Sequence, residues 1–183
     1  MSAAPRILLL PGWHNSGAGH WQSRWQALYG DVRVEQHDWA RPLRGDWMAQ
    51  LEEAVLAAGA APVALVAHSM GCALVAAWAA HSQNTARVCA ALLVAPGDPE
   101  REELRHQLPS WHPMVRQPLP FPAVLLGSQT DPYCSLARAR DFAADWGARF
   151  VDYGARGHLN AESGLGDWPD GRQLLDALVN DTA

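Results

Sequence analysis

Six short apolar runs, each bounded by Gly, Pro or Asp, recur along the chain at Arg6 to Leu10, Val32 to His37, Val63 to Ala67, Ala90 to Ala95, Ala123 to Leu126 and Arg149 to Tyr153. Several are apolar at every position instead of alternating, which is what a strand needs when helices cover both faces of its sheet. Segments of helical period lie between them. Trp47, Leu51, Val55 and Ala58 repeat at three to four residues within Asp46 to Ala58, with Asp46 suited to the N-cap and Gly59 to the stop. A second stripe joins Leu136, Phe142, Ala143 and Trp146 and ends at Gly147, and a last helix starting near Asp170 uses Leu174, Leu175 and Leu178. Strand and helix alternating over the whole length predict parallel strands joined by right-handed crossovers, a doubly wound, mostly parallel six-stranded α/β sheet forming one domain over 1–183. The irregular stretch is Gly97 to Pro122, where six prolines leave room only for a short helix from Pro99 to Gln107 and a compact loop over one sheet edge.

A chain of 183 residues that is 49% hydrophobic can bury a sizeable core. The net charge of −5 with dispersed basic residues gives no footprint for nucleic acid or an anionic membrane, so the expected partner is a small neutral or polar molecule. Cys72, Cys89 and Cys134 form no CxxC pair and argue against both a disulfide framework and a zinc knuckle. The N-terminal apolar run is stopped by Pro11 and Gly12 after four residues, too short for an export signal or a membrane span. A cytoplasmic protein is expected.

The run PVALVA leads through HSMG into the helix-compatible CALVAAWAAHS, which puts Ser69 on a strand-to-helix turn. A serine exposed on such a turn adopts a strained backbone and needs small residues two positions to either side. Here these are Ala67 and Gly71, so AHSMG departs from GxSxG at one position. A serine after a buried strand is also a common helix cap, and the pentapeptide by itself does not separate the two readings.

An activated serine needs a neutral imidazole and a carboxylate that orients it, in the chain order Ser, acid, His on this kind of sheet. Of eight histidines, His158 alone follows both Ser69 and a well-placed acid at the end of a late strand. Asp131, in AVLLGSQTDPY, stands just beyond a buried strand, and 27 residues leave room for a helix and a strand before His158. Asp98 and Asp152 are the competing acids. The developing oxyanion needs two backbone N–H donors: Met70, next to the nucleophile, and Trp13 in the loop LPGWHNSGAGHW, with His14 as its neighbour. That loop lacks both GxGxxG and GxxxxGK[ST], and no histidine pair has HExxH spacing, so neither a cofactor nor a metal is called for.

LPGW with HWQSRW, AHSMG, SQTDPY and GHLNAESGLGDWPDG together resemble small bacterial serine hydrolases similar to YdeN and to retinoblastoma-binding protein 9, over nearly the whole chain. The resemblance implies an α/β-hydrolase fold without a large cap domain and a triad on Ser69, Asp131 and His158. It implies hydrolysis of simple esters or amides and leaves the substrate undefined. The human relative binds its partner through LxCxE; this chain has no such segment, so that partner is not expected.

Trp13, Trp111 and Trp168 fall in segments near the expected active face, and with His14 they suggest a narrow, aromatic-walled acyl pocket. Asn160, Glu162 and Ser163 are suited to fixing the histidine loop. The reading is a carboxylesterase-like serine hydrolase acting on a small acyl substrate. A thioesterase, transferase or peptidase on the same scaffold stays open, as does a non-catalytic binding or regulatory protein that keeps the fold.

Overall fold

The computed structural model describes residues 4–181, so residues 1–3 of the N-terminal run lie outside the described residues. Six parallel strands form one sheet in the order β2-β1-β3-β4-β5-β6. They are β1 (Arg6–Leu10), β2 (Val32–Arg33), β3 (Val63–Ser69), β4 (Val88–Pro96), β5 (Ala123–Gly127) and β6 (Arg149–Asp152). Five α-helices flank them: α1 (Trp21–Tyr29), α2 (Arg44–Ala57), α3 (Met70–Ala79), α4 (Leu136–Trp146) and α5 (Pro169–Asn180).

Because side chains alternate along a strand, each apolar run feeds two cores at once. Leu8, Leu10, Leu65, Leu93 and Leu125 pack with Trp47, Leu51, Trp78 and Phe142 of α2, α3 and α4. Leu9, Val66, Leu92, Val94 and Leu126 pack on the other face with Trp21, Trp25, Leu175 and Leu178 of α1 and α5. This is why the central strands carry no polar face.

The chain runs outward from β1 to β2 and then back across to β3. The loops after β1 and after β4 therefore flank the end of β3 on opposite sides, and a crevice opens at such a reversal. No large cap domain rises above it among the described residues. Among the described residues, no helix is long and apolar enough to cross a membrane.

Several boundaries differ from the sequence expectation. The run from Val32 to His37 is a strand only at Val32–Arg33; Val34 still donates to Leu9 O at 2.9 Å, after which the chain leaves this edge position. Asp46 lies inside the first turn of α2, where its charge faces the positive helix end, and Leu43 is the N-cap. The helix α1 was not anticipated: its two tryptophans stand one turn apart with only polar residues between them, and it is closed by Gly30 at φ 72°. In place of a helix from Pro99 to Gln107 there are 3-10 turns at Glu102–Leu104 and Pro109–Trp111. This segment is pinned by Arg138, which reaches Asp98 and Glu100, and by Arg116, which reaches Asp145.

Candidate active site

Ser69 ends β3 and caps α3 with φ 55° and ψ −122°, a conformation costing about 1–3 kcal/mol that persists only where its surroundings enforce it. The enforcement is visible in the packing. A Cβ on Gly71 would sit 2.2 Å from the Leu10 carbonyl oxygen, so the first turn of α3 can lie against the end of β1 only if residue 71 has no side chain. A Cβ on Gly12 would sit 2.8 Å from Ser69 Cβ and 3.2 Å from Met70 N, which shows how closely the loop after β1 approaches the turn.

His158 follows β6. Its Nδ1–H donates to both oxygens of Asp131 at 2.9 and 3.0 Å, with side chains only 8% and 2% exposed. The competing acids are engaged elsewhere: Asp98 pairs with Arg138 at 3.0 Å, and Asp152 accepts from Gln129 and from Gly154 N. The acid and base loops are stitched together by Gly157 N donating to Thr130 Oγ1 and Arg156 N to Ser128 Oγ, both at 3.0 Å. Beyond the imidazole, Asn160 Oδ1 accepts from Glu162 N and Ser163 Oγ accepts from Asn160 N, a reciprocal cap.

Two further bonds hold the base loop from inside. His68 Nε2–H donates to His158 O, and Trp21 Nε1–H to Leu159 O, both at 2.8 Å and buried. Neither His68 nor Trp21 was singled out from the sequence, although His68 stands inside AHSMG. Tyr133 lies edge-on over the imidazole at 4.6 Å between ring centres.

Ser69, His158, Met70, Trp13 and His14 all line one cavity of about 460 Å³. The Ser69 hydroxyl lies 3.3 Å from where a Cβ on Gly97 would stand, and it makes no hydrogen bond among the described residues. Met70 is the first residue of α3, so its N–H has no intrahelical acceptor. In the loop after β1, His14 N–H donates to Trp39 O and Asn15 N–H to Gly12 O, whereas Trp13 N–H has no partner among the described residues.

Trp111 and Trp168 do not reach this cavity. Trp111 is 1% exposed, bonded through Nε1 to Pro42 O and packed against Trp47. Trp168 is buried against Trp21 and Trp25, with Nε1 on Tyr153 Oη. Their indole area is worth more in the core than at a wet rim. Trp13, His14 and Tyr133 are the aromatic side of the cavity's lining, and Leu104 and Leu108 of the Pro-rich segment, with Met70, supply its aliphatic side.

Burial pushes the imidazole of His20, another cavity residue, down to about 3, and that of His68 well below its ordinary value, so both are neutral at physiological pH. Burial pushes the Cys134 thiol up to about 12 and that of Cys72 up as well, which leaves neither a thiolate nucleophile. Among the described residues, no group of three or more His, Cys, Asp or Glu is arranged to hold a metal ion.

A family model described as "Serine hydrolase" matches residues 7–177. A solved structure from Pectobacterium atrosepticum, described as a YdeN-like hydrolase, is 29% identical with a TM-score of 0.83, over 96% of this chain and 91% of that one. The ydeN gene product of Bacillus subtilis is 16% identical with a TM-score of 0.75, over 97% and 100% of the two chains. An esterase from Rhodococcus shares the fold at 13% identity and a TM-score of 0.68, over 97% and 92%. No curated protein sequence matches the chain.

Proposed function

The chain belongs to the serine hydrolase family, and from that premise we propose that it cleaves small carboxylic esters through Ser69, His158 and Asp131. One observation carries this reading: a buried imidazole fixed by Asp131 at 2.9 Å and a serine on a positive-φ turn face the same cavity. Asp131 accepting from Nδ1 leaves Nε2 as the free base nitrogen.

On this reading the Ser69 hydroxyl pairs with Nε2 across the shared cavity, a pairing that free enzymes often complete only with substrate bound. Nε2 takes the hydroxyl proton as Oγ attacks the ester carbon, and the oxyanion accepts hydrogen bonds from the N–H groups of Met70 and Trp13. The imidazolium returns that proton to the departing alkoxide, leaving an acyl-serine. Water, deprotonated by the same imidazole, attacks the acyl carbon; the proton returns to Oγ, and the acid is released. Thioesters and amides present the same carbonyl and are secondary substrates on this reading.

The partner is a small-molecule acyl donor, and no cofactor takes part. Three free thiols support a reducing, cytoplasmic setting. The test is labelling by a fluorophosphonate probe together with turnover of aryl acetate, butyrate and octanoate. We expect labelling that Ser69→Ala abolishes while the fold is retained, and faster turnover of the two shorter esters. An unlabelled Ser69 and no turnover would turn the reading to a binding protein on a hydrolase fold.

A further inference from the structure

Tyr133 follows the acid in the turn Asp131, Pro132, Tyr133. Its N–H donates to Asp131 Oδ1 at 2.8 Å, on the same carboxylate that takes the Nδ1–H of His158. An aspartate that accepts from the residue two positions on closes a local turn, and the proline at its centre fixes φ, so the backbone carrying the Tyr133 ring is held to the triad. The ring lies edge-on to the imidazole at 4.6 Å between centres, yet the residue is 51% exposed. Single exposed aromatics are ordinary on a protein surface. The position of this one, between two spaces, is not.

Beside the cavity that Ser69 lines runs a groove of about 470 Å³, lined by Thr130, Arg156 and Ser163. Tyr133, His158, Asn160 and Glu162 border both spaces, whereas Ser69, Leu104 and Leu108 line the first and not the second. Within the shared border, the Asn160 side chain caps the turn at Ala161–Ser163 and Glu162 lies on that turn, so the aromatic ring supplies the bulk of the wall. The chemistry of the reaction fixes which part of a substrate meets it. The base gives its proton to the leaving group, so the leaving oxygen has to reach His158, whose ring is in contact with that of Tyr133. The alcohol attached to that oxygen therefore starts beside the wall.

We propose that Tyr133 is a specificity-determining residue: its ring closes the Ser69 cavity off from the neighbouring groove and limits the leaving alcohol to a small one, which makes esters of short alcohols the preferred substrates. A site rejects by steric clash what it has no room to hold, and a ring anchored through its own backbone does not step aside. This rests on the ester reading above and narrows it on the alcohol side of the scissile bond.

The probes are ethyl acetate, 2-phenylethyl acetate and ethyl octanoate, with each rate divided by that of hydroxide-catalysed hydrolysis. The wild-type enzyme should prefer ethyl over 2-phenylethyl acetate by about tenfold or more in kcat/KM. Tyr133→Ala removes the ring and keeps the backbone N–H, so it should bring the two acetates to within about threefold of each other and leave the ratio of octanoate to acetate where it was. Tyr133→Phe keeps the ring and should keep the wild-type preference. Tyr133→Leu should move the acetate ratio in the same direction as Ala, and it decides the matter if the alanine variant does not fold. A wild-type ratio near one overturns the proposal, as does a preference that survives in the Ala and Leu variants. A gain for octanoate as large as that for 2-phenylethyl acetate overturns the assignment to the alcohol side. If Tyr133→Ala takes the fluorophosphonate label and turns over neither acetate, the ring positions the base and does not bound the site. In each of these cases the ester reading stands. If the wild-type protein hydrolyses none of the three esters, that reading falls and the proposal with it.

Discussion

His68, the residue immediately before the nucleophile, donates its Nε2–H to the backbone carbonyl of His158 at 2.8 Å. A single buried bond therefore ties the strand that presents the hydroxyl to the loop that presents its base, across 90 residues of sequence. Misplacing reacting groups by about 1 Å costs on the order of 100-fold in rate. His68→Leu should lower kcat by roughly that factor, change KM by less than about threefold, and slow fluorophosphonate labelling in parallel with kcat. Gln places a donor at similar reach, so His68→Gln should recover most of the loss. Equal kcat values in the Leu and Gln variants would show that the side chain fills space and positions nothing.

The close approach of the β1 loop to the serine turn predicts two different failures from one methyl group. In Gly71→Ala the new methyl carbon meets the Leu10 carbonyl oxygen at 2.2 Å, a backbone atom with nothing flexible to yield. That variant should not accumulate as folded protein. In Gly12→Ala the contact is 2.8 Å to Ser69 Cβ, so the loop that carries Trp13 must move away instead. Here the fold should survive while kcat/KM falls by about 100-fold, the usual cost of losing an oxyanion donor. Circular dichroism and ester turnover on the two proteins would check both outcomes.

The elements that made the fold readable are those whose physics is local. Wholly apolar runs such as Val63 to Ala67, and the stripe from Leu136 to Trp146, announce themselves by period, and the pairing of Asp131 with His158 follows from chain order and spacing. The tryptophans did not yield to the same reasoning. Being near a catalytic segment in sequence does not say which way a side chain points, and Trp111 and Trp168 point into the core. Leu104 and Leu108 reach the cavity on a segment without a repeating period, where no pattern marks one residue as facing inward. The role of His68 rests on a contact with His158, far along the chain, so only the folded arrangement exposes it.

Asp98 and Asp131 provide a direct comparison of acids, because Asp98 also lines the cavity yet its carboxylate is held by Arg138 at 3.0 Å. Asp131→Asn puts an amide NH2 donor beside Nδ1 and so favours the tautomer with its proton on Nε2, a change that costs about 10⁴-fold in kcat in a serine protease triad. A loss of similar order is expected here. Asp98→Asn should cost less than about tenfold, since it loosens one anchor of the Pro-rich segment and leaves the imidazole untouched. Steady-state kinetics on the two variants would exchange their roles if the order of losses were reversed.

The same buried imidazoles make stability depend on pH in a way that can be separated from the carboxylates. His20 binds its proton at about 3 in the folded chain, and His68 well below the ordinary 6.5, whereas both bind near 6.5 once unfolded. Below pH 6.5 the unfolded chain therefore holds more protons than the folded one, and stability falls with falling pH. The full stability is present above pH 6.5, and the loss approaches about 1.4 kcal/mol per pH unit for each of the two imidazoles. Ordinary carboxylate values lie below pH 5, so most of the slope between pH 6.5 and 5 belongs to histidine. Urea denaturation at pH 7.5, 6.5, 5.5 and 5.0 should show this decline, and removing one imidazole with His68→Gln should take away about half of it. A flat profile over that range would mean that at least one of these rings takes up a proton without leaving its place in the fold.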